Sequence, residues 1–353
     1  MEPPLILDLS EPKWKLFGNI IKIFGTRRTR KIISRCGIKP LGKAVKILKI
    51  VLLSMFFSSE IAYIVDELKN RKRLRQFLTI DEIPEANEIY RFLSEFDPDQ
   101  FVEMTLKILN SICSGRDRGK TTIITDSTDV CVDINWFRNT YRKSDLENRD
   151  FKWAFSSSKG HYLGFKLILA IEYPSLKPLG FLLYSGSPND SKLFDEIVNE
   201  LLRRRVMKKG DTLVLDKGFY AYYHYTDGLV KYGILPLIFP RKNFKLGKVL
   251  NGVIPKLDFY LDKPNRIQKK LLFLKELINE FIEKISKWGS FKYIRSFIED
   301  VFKIKKNSLS LDRLHKYTSR SVKKTCSLAV LLIGILSSMG FREKGTLQRF
   351  AEW

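Results

Sequence analysis

Apolar positions recur at three- and four-residue spacing from Leu41 to about Phe101, where the stretch Ile47 to Phe57 leads into Ile61, Ile64, Val65 and Leu68. That is the period of a buried helix face. The run Lys69, Arg71, Lys72, Arg73 and Arg75 interrupts it, Ile80 to Pro84 reads as a turn, and Ala86 to Phe92 opens another helix. The pattern predicts a helical domain over 1–115 with a cationic edge, suited equally to solvent and to a polyanion.

After Thr121 the period changes. Thr121-Thr-Ile-Ile-Thr-Asp126, Tyr162 to Tyr173 and Pro178 to Ser185 are β-branched or aromatic runs, the last two joined at Pro174-Ser-Leu-Lys177. Asp190-Ser191 can cap a helix carrying Phe194, Ile197, Val198, Leu201 and Leu202 on one face. Asp211-Thr-Leu-Val-Leu-Asp216 reads as a short buried strand. A helical stretch over Tyr222 to Tyr232 leads to the strand Gly233 to Phe239, which Pro236 demotes to an edge. A basic segment follows to about Arg266, then long helices over Gln268 to Trp288 and Phe291 to Lys306. The order βββ-α-β-α-β, insertion, α predicts an α/β domain over 116–345, interrupted at about 241–285. Thr325 to Phe341 carries no charge and approaches the roughly 17–25 residues of a membrane span, but its serines and glycines favour a buried C-terminal helix.

With 353 residues and 44% hydrophobic side chains the chain can bury a sizeable core, which excludes disorder as the default. Charge changes the picture further: 63 Lys+Arg against 39 Asp+Glu leave a formal +24, which points to a polyanionic partner, nucleic acid before membrane. A merely lysine-rich surface would raise glutamate in step. Cys36, Cys113, Cys131 and Cys326 form no paired motif, and His161, His224 and His315 are the only histidines, so zinc and disulfide frameworks are poorly supported. Oxygen ligands are the better expectation for any metal. The first residues show no basic-then-apolar leader, so a cytoplasmic location is expected.

Asp126 and Asp216 each read as the end of a strand, where open α/β sheets bind ligands, and Glu299 lies in a helix with Arg295 four residues before it and Lys303 four after. Taken singly, each acid is more often a turn or cap residue. Together, three carboxylates on separate elements of a basic chain suit hard divalent cations and phosphodiester chemistry, which needs neither a nucleophilic side chain nor a histidine base. Gly119-Lys120-Thr121 imitates the end of a phosphate-binding loop, but Ser114 stands where a glycine is needed and a strand rather than a helix follows.

The local motifs carry a resemblance. Thr125-Asp126-Ser127-Thr128, Gly160-His-Tyr-Leu-Gly164-Phe-Lys166, Leu215-Asp216-Lys217-Gly218-Phe219-Tyr220 and Arg295-x3-Glu299-x6-Lys306 occur in the order found in DDE-class insertion-sequence transposases, which the chain resembles from about residue 41 onward. The last motif is similar to the family's Tyr-Arg-Glu-Lys signature, with the tyrosine displaced: the family's spacing falls on Lys292, and Tyr293 stands one residue later.

The resemblance implies a ribonuclease-H-like mixed sheet flanked by helices, an N-terminal helical DNA-binding domain, and an insertion before the last catalytic helix. It implies two Mg²⁺ or Mn²⁺ ions on Asp126, Asp216 and Glu299, with Arg295, Lys306, Lys217 and Tyr293 as DNA contacts. The partners it implies are double-stranded DNA, both transposon terminal inverted repeats and target, and a second copy of the chain. It also implies no membrane partner and a location in the cytoplasm of a prokaryote, at the nucleoid. A metal nuclease without strand transfer and an inactive DNA-binding protein are the competing readings.

Overall fold

The computed structural model describes residues 8, 11–113, 119–133, 151–156, 160–258, 265–307, 314, 316 and 318–340. Seven helices come first: α1 (Pro12–Gly25), α2 (Arg27–Arg35), α3 (Leu41–Phe56), α4 (Ile61–Asn70), α5 (Lys72–Leu78), α6 (Ala86–Glu95) and α7 (Pro98–Cys113). The helical reading from Leu41 holds, and two further helices precede it. Trp14, Phe17, Ile20, Ile21 and Phe24 form the buried stripe of α1. A reciprocal cap between Glu85 and Glu88 starts α6.

The strands are β1 (Thr122–Cys131), β2 (Lys152–Ser156), β3 (Gly160–Tyr173), β4 (Pro178–Ser185), β5 (Thr212–Leu215) and β6 (Leu235–Ile238). Between and after them lie α8 (Phe194–Arg203), α9 (Tyr222–Asp227), α10 (Leu246–Asp258), α11 (Asn265–Ser286), α12 (Lys292–Asn307) and α13 (Ser319–Ser338). The sheet runs β2-β3-β1-β5-β6, with β4 also beside β3. β3 is antiparallel to β1, β2 and β4, whereas β1, β5 and β6 are mutually parallel. Pro236 does sit on an edge strand, β6. The fold is the expected α/β one, a mixed sheet flanked by helices.

Two expectations need correction. Asp126 does not end its strand: β1 continues to Cys131 because the fourteen-residue β3 pairs with it all the way. A fourth early strand, β2, is present. Within the basic segment after Pro240 lies α10, and the long helix that follows, α11, packs Leu274, Leu277, Ile278 and Phe281 into the core.

The sheet separates two cores. On one face Ile124, Phe165, Leu167 and Leu169 pack with the N-terminal helices, α12 and α13. On the other, Ile123, Ile168 and Ala170 meet α8, and this second core continues around β5 and β6 to α10 and α11. Helix α13 is long and apolar enough to cross a membrane, but 78% of its apolar window is buried within the chain. From Cys326 to Ser337 it is a core helix, covered all round.

Candidate active site

Register builds the site. The parallel pairing of β1 with β5 ends at Thr125 opposite Leu215, so the next residues on the two strands, Asp126 and Asp216, lie side by side, about 5 Å apart at the backbone. Asp126 remains paired with Leu169 on its other side. The sheet therefore splits here, and a cleft of about 670 Å³ opens at the split.

Each acid is held separately. Asp126 is buried, 7% exposed, and its Oδ1 accepts from the Ser127 amide at 2.8 Å. Asp216 precedes a single tight turn, Lys217–Phe219, anchored by buried Phe219, whose carbonyl contacts His224 Nδ1 at 2.6 Å. His224 is buried and stacks on Phe194 at 4.3 Å, a structural histidine. In the same turn Gly218 lies so close to Asp190 that a Cβ would come within 2.7 Å of its carboxylate. Asp190 is fixed by Lys166, whose Nζ donates to it at 3.0 Å and to the Pro188 carbonyl at 2.6 Å.

Helix α12 brings the third acid across the cleft. Buried Ile294, Ile298 and Val301 seat it on the sheet, leaving Arg295 and Glu299, one turn apart, facing the two aspartates. The Arg295 guanidinium then meets all three carboxylates: Nη2 donates to Asp126 Oδ2 at 2.9 Å, Nη1 lies 3.1 Å from Glu299 Oε1, and Nε lies 3.4 Å from Asp216 Oδ1, without hydrogen-bond alignment. Asp300 points elsewhere, buried and paired with Lys303 at 3.3 Å.

Burial lifts the Asp126 carboxyl to about 6, and the Asp216 charge pushes the same way, against Arg295 and the Ser127 amide. Desolvation wins over the ion pair. For Arg295 burial works against the charge, but Asp126, Asp216 and Glu299 outweigh it and raise its pKa.

Among the described residues the cleft around this centre is lined by five acids, Asp126, Asp129, Asp190, Asp216 and Glu299, and three cations, Lys166, Arg295 and Lys303. A locally acidic site on a chain of net charge +24 is the electrostatics of a place that takes cations. The donors are hard oxygens, which suits magnesium or manganese. Among the described residues no three such groups sit within direct chelating reach of one another; the guanidinium stands between them.

A protein-family model, the transposase DDE domain, matches residues 117–335. The chain belongs to the transposase DDE family. Its sheet is the ribonuclease-H-like core of that domain, and its function is of the transposase type. A comparison with curated proteins gave no match.

Among the other DDE-motif residues, Lys217 is exposed on the turn after Asp216. Tyr293 is exposed and its hydroxyl pairs with that of Tyr173 at 3.0 Å, outside the cleft lining. The side chain of Lys306 lies outside the described residues. Sequence reasoning missed Asp129 and Asp190. Asp129 lies three residues from Asp126 on one strand and so projects from the opposite face, with Tyr162 donating to it at 2.8 Å. In the sequence Asp190 reads as a helix cap; its approach to Lys166 and Gly218 arises from the fold, although both belong to family-like motifs.

Proposed function

We propose that this transposase-type chain cleaves DNA strands and joins them to target DNA by in-line attack of water or a 3′-hydroxyl on phosphodiesters, at the cleft between Asp126, Asp216 and Glu299. The observation that supports it most is the convergence of these three acids, from β1, the end of β5 and α12, on one cation, Arg295. Asp126, Asp216 and Glu299 would hold two Mg²⁺ or Mn²⁺ ions. Such ions, when bound, stabilise both the attacking and the leaving oxygen.

The remaining roles belong to the chain's own residues. Arg295 and Lys303 would bind non-bridging phosphate oxygens and fix the phosphate for in-line attack. Lys166 and Asp190 hold the Asp216 turn. Lys217, Lys306 and Tyr293 contact the flanking backbone. The 1–115 helical domain, with its run from Lys69 to Arg75, engages the terminal repeats, and two copies act together because two ends must be cut.

The test is Mg²⁺-dependent nicking of DNA bearing the element's terminal repeats by wild type, Asp126→Asn, Asp216→Asn and Glu299→Gln. Each variant should lose cleavage by at least about 1000-fold, since each removes ligand charge for transition-state stabilisation. A variant that cuts like wild type would remove its residue from the site. Strand transfer of the cut ends into a second DNA separates a transposase from a nuclease of the same fold.

A further inference from the structure

Strand β2 inverts the usual pattern of a sheet: its small Ala154 is buried while its aromatics Trp153 and Phe155 are 59% and 61% exposed. They alternate along the strand and so share one face. Register says which face. Trp153 pairs with Leu163 and Phe155 with His161, and both partners are odd-numbered residues of β3, as is Leu169, the partner of Asp126. The aromatics therefore project from the same side of the sheet as Asp126 and α12. His161 is exposed beside them, its ring 5.2 Å from that of Phe155 in an edge-to-face arrangement. Phe155 also lines the acidic cleft. The patch is thus continuous with the site of the chemistry.

We infer that Trp153, Phe155 and His161 form a stacking site for unpaired DNA bases, on a strand that runs out of the cleft along the β2–β3 edge. This rests on the DNA reading above and deepens it. Trp153 and Phe155 carry no charge and offer nothing to a phosphate, whereas exposed ring faces beside a backbone-binding cleft take up bases irrespective of sequence. His161 and Leu169 are eight residues apart on β3, at most about 27 Å along a straight strand. The stacked bases thus lie a few nucleotides from the phosphate bound in the cleft beside Asp126.

The test compares three DNAs at fixed salt: a blunt duplex, the same duplex with a short single-stranded oligothymidine extension, and that duplex with an abasic extension of equal length. The abasic strand keeps the phosphates and lacks the rings. Wild type should favour the base-bearing extension over the abasic one by about ten-fold or more. Trp153→Ala/Phe155→Ala should erase that preference while keeping blunt-duplex affinity within about two-fold, and Trp153→Tyr/Phe155→Tyr should retain most of it. Because both side chains are exposed, their truncation leaves no cavity. Equal binding of the two extensions by wild type, or an unchanged preference in the alanine variant, overturns the inference and leaves the DNA reading intact. A wild type that binds none of the three overturns both. An alanine variant that keeps the preference but shows a smaller mass in light scattering would make the patch a contact between copies instead, and overturns the stacking site.

Discussion

Arg295 on α12 donates to Asp126 on β1 at 2.9 Å, across 169 residues of sequence, and the same guanidinium faces Asp216 and Glu299. One side chain thus ties the last helix to the split in the sheet. Arg295→Ala leaves Asp126 buried beside Asp216 without a counter-charge. For fully buried pairs such a loss costs about 3–5 kcal/mol. Arg295 is a quarter exposed and Glu299 half exposed, so about 2 kcal/mol is expected after screening. Urea unfolding measures it. Arg295→Lys should recover less than half, because an ammonium cannot reach three carboxylates at once.

The pH dependence of stability follows from Asp126. Its folded pKa of about 6 lies above the ordinary 3.8. The folded state therefore holds a proton that the unfolded chain has released, and the favourable contribution, complete below pH about 4, is lost as pH rises through about 6. In chelator, Asp126→Asn should gain on wild type across that window, by on the order of 3 kcal/mol at neutral pH. Thermal unfolding of both proteins at pH 4 and pH 7 checks the sign. A difference that does not grow with pH would contradict the buried-carboxylate account.

Two glycines of the recognised motifs separate fold from site. A Cβ on Gly164 would lie 2.2 Å from the Val130 carbonyl oxygen. Gly164→Ala must therefore force β1 and β3 apart and cost roughly 3 kcal/mol or more. A Cβ on Gly218 would first meet the Asp190 side chain, its carboxylate oxygen at 2.7 Å, which Lys166 prevents from yielding freely. Gly218→Ala should stay folded but shift the Asp216 turn. A displacement near 1 Å lowers turnover by about 100-fold. Circular dichroism melts together with nicking rates distinguish the two outcomes.

These glycines also show what the sequence could and could not disclose. Their motifs were legible as patterns, as were β5, β6, α8 and α12, whose apolar spacing is local. Helix α1 was missed, although Trp14, Phe17, Ile20, Ile21 and Phe24 repeat at helical intervals. Strand β2 was not legible: five residues with exposed aromatics and a buried alanine contradict the rule by which strands are read. Asp126 read as a strand end because the partner that prolongs β1, β3, is fixed by tertiary pairing. Arg295 was visible only as the neighbour of Glu299, and its reach to Asp126 and Asp216 arises from packing of α12 on the sheet.

If the basic surface binds DNA, affinity should fall linearly on a log-log plot against salt, with a slope of about −0.9 per neutralised phosphate. Substituting Arg71, Arg73 and Arg75 by glutamine should lower the slope by up to about three such units if the N-terminal edge lies on the backbone. Fluorescence anisotropy at several salt concentrations reads it. An unchanged slope would take that edge out of the interface.

The central claim is that Asp126, Asp216 and Glu299 serve one metal-dependent centre, and metal exchange tests it most directly. In Asp126→Cys and Asp216→Cys a soft thiolate replaces a hard oxygen ligand. Nicking should be abolished in Mg²⁺ and partly restored in Mn²⁺, while wild type cuts in both and in neither after chelation. Either cysteine variant cutting at the wild-type rate in Mg²⁺, or wild type cutting in chelator, would contradict it.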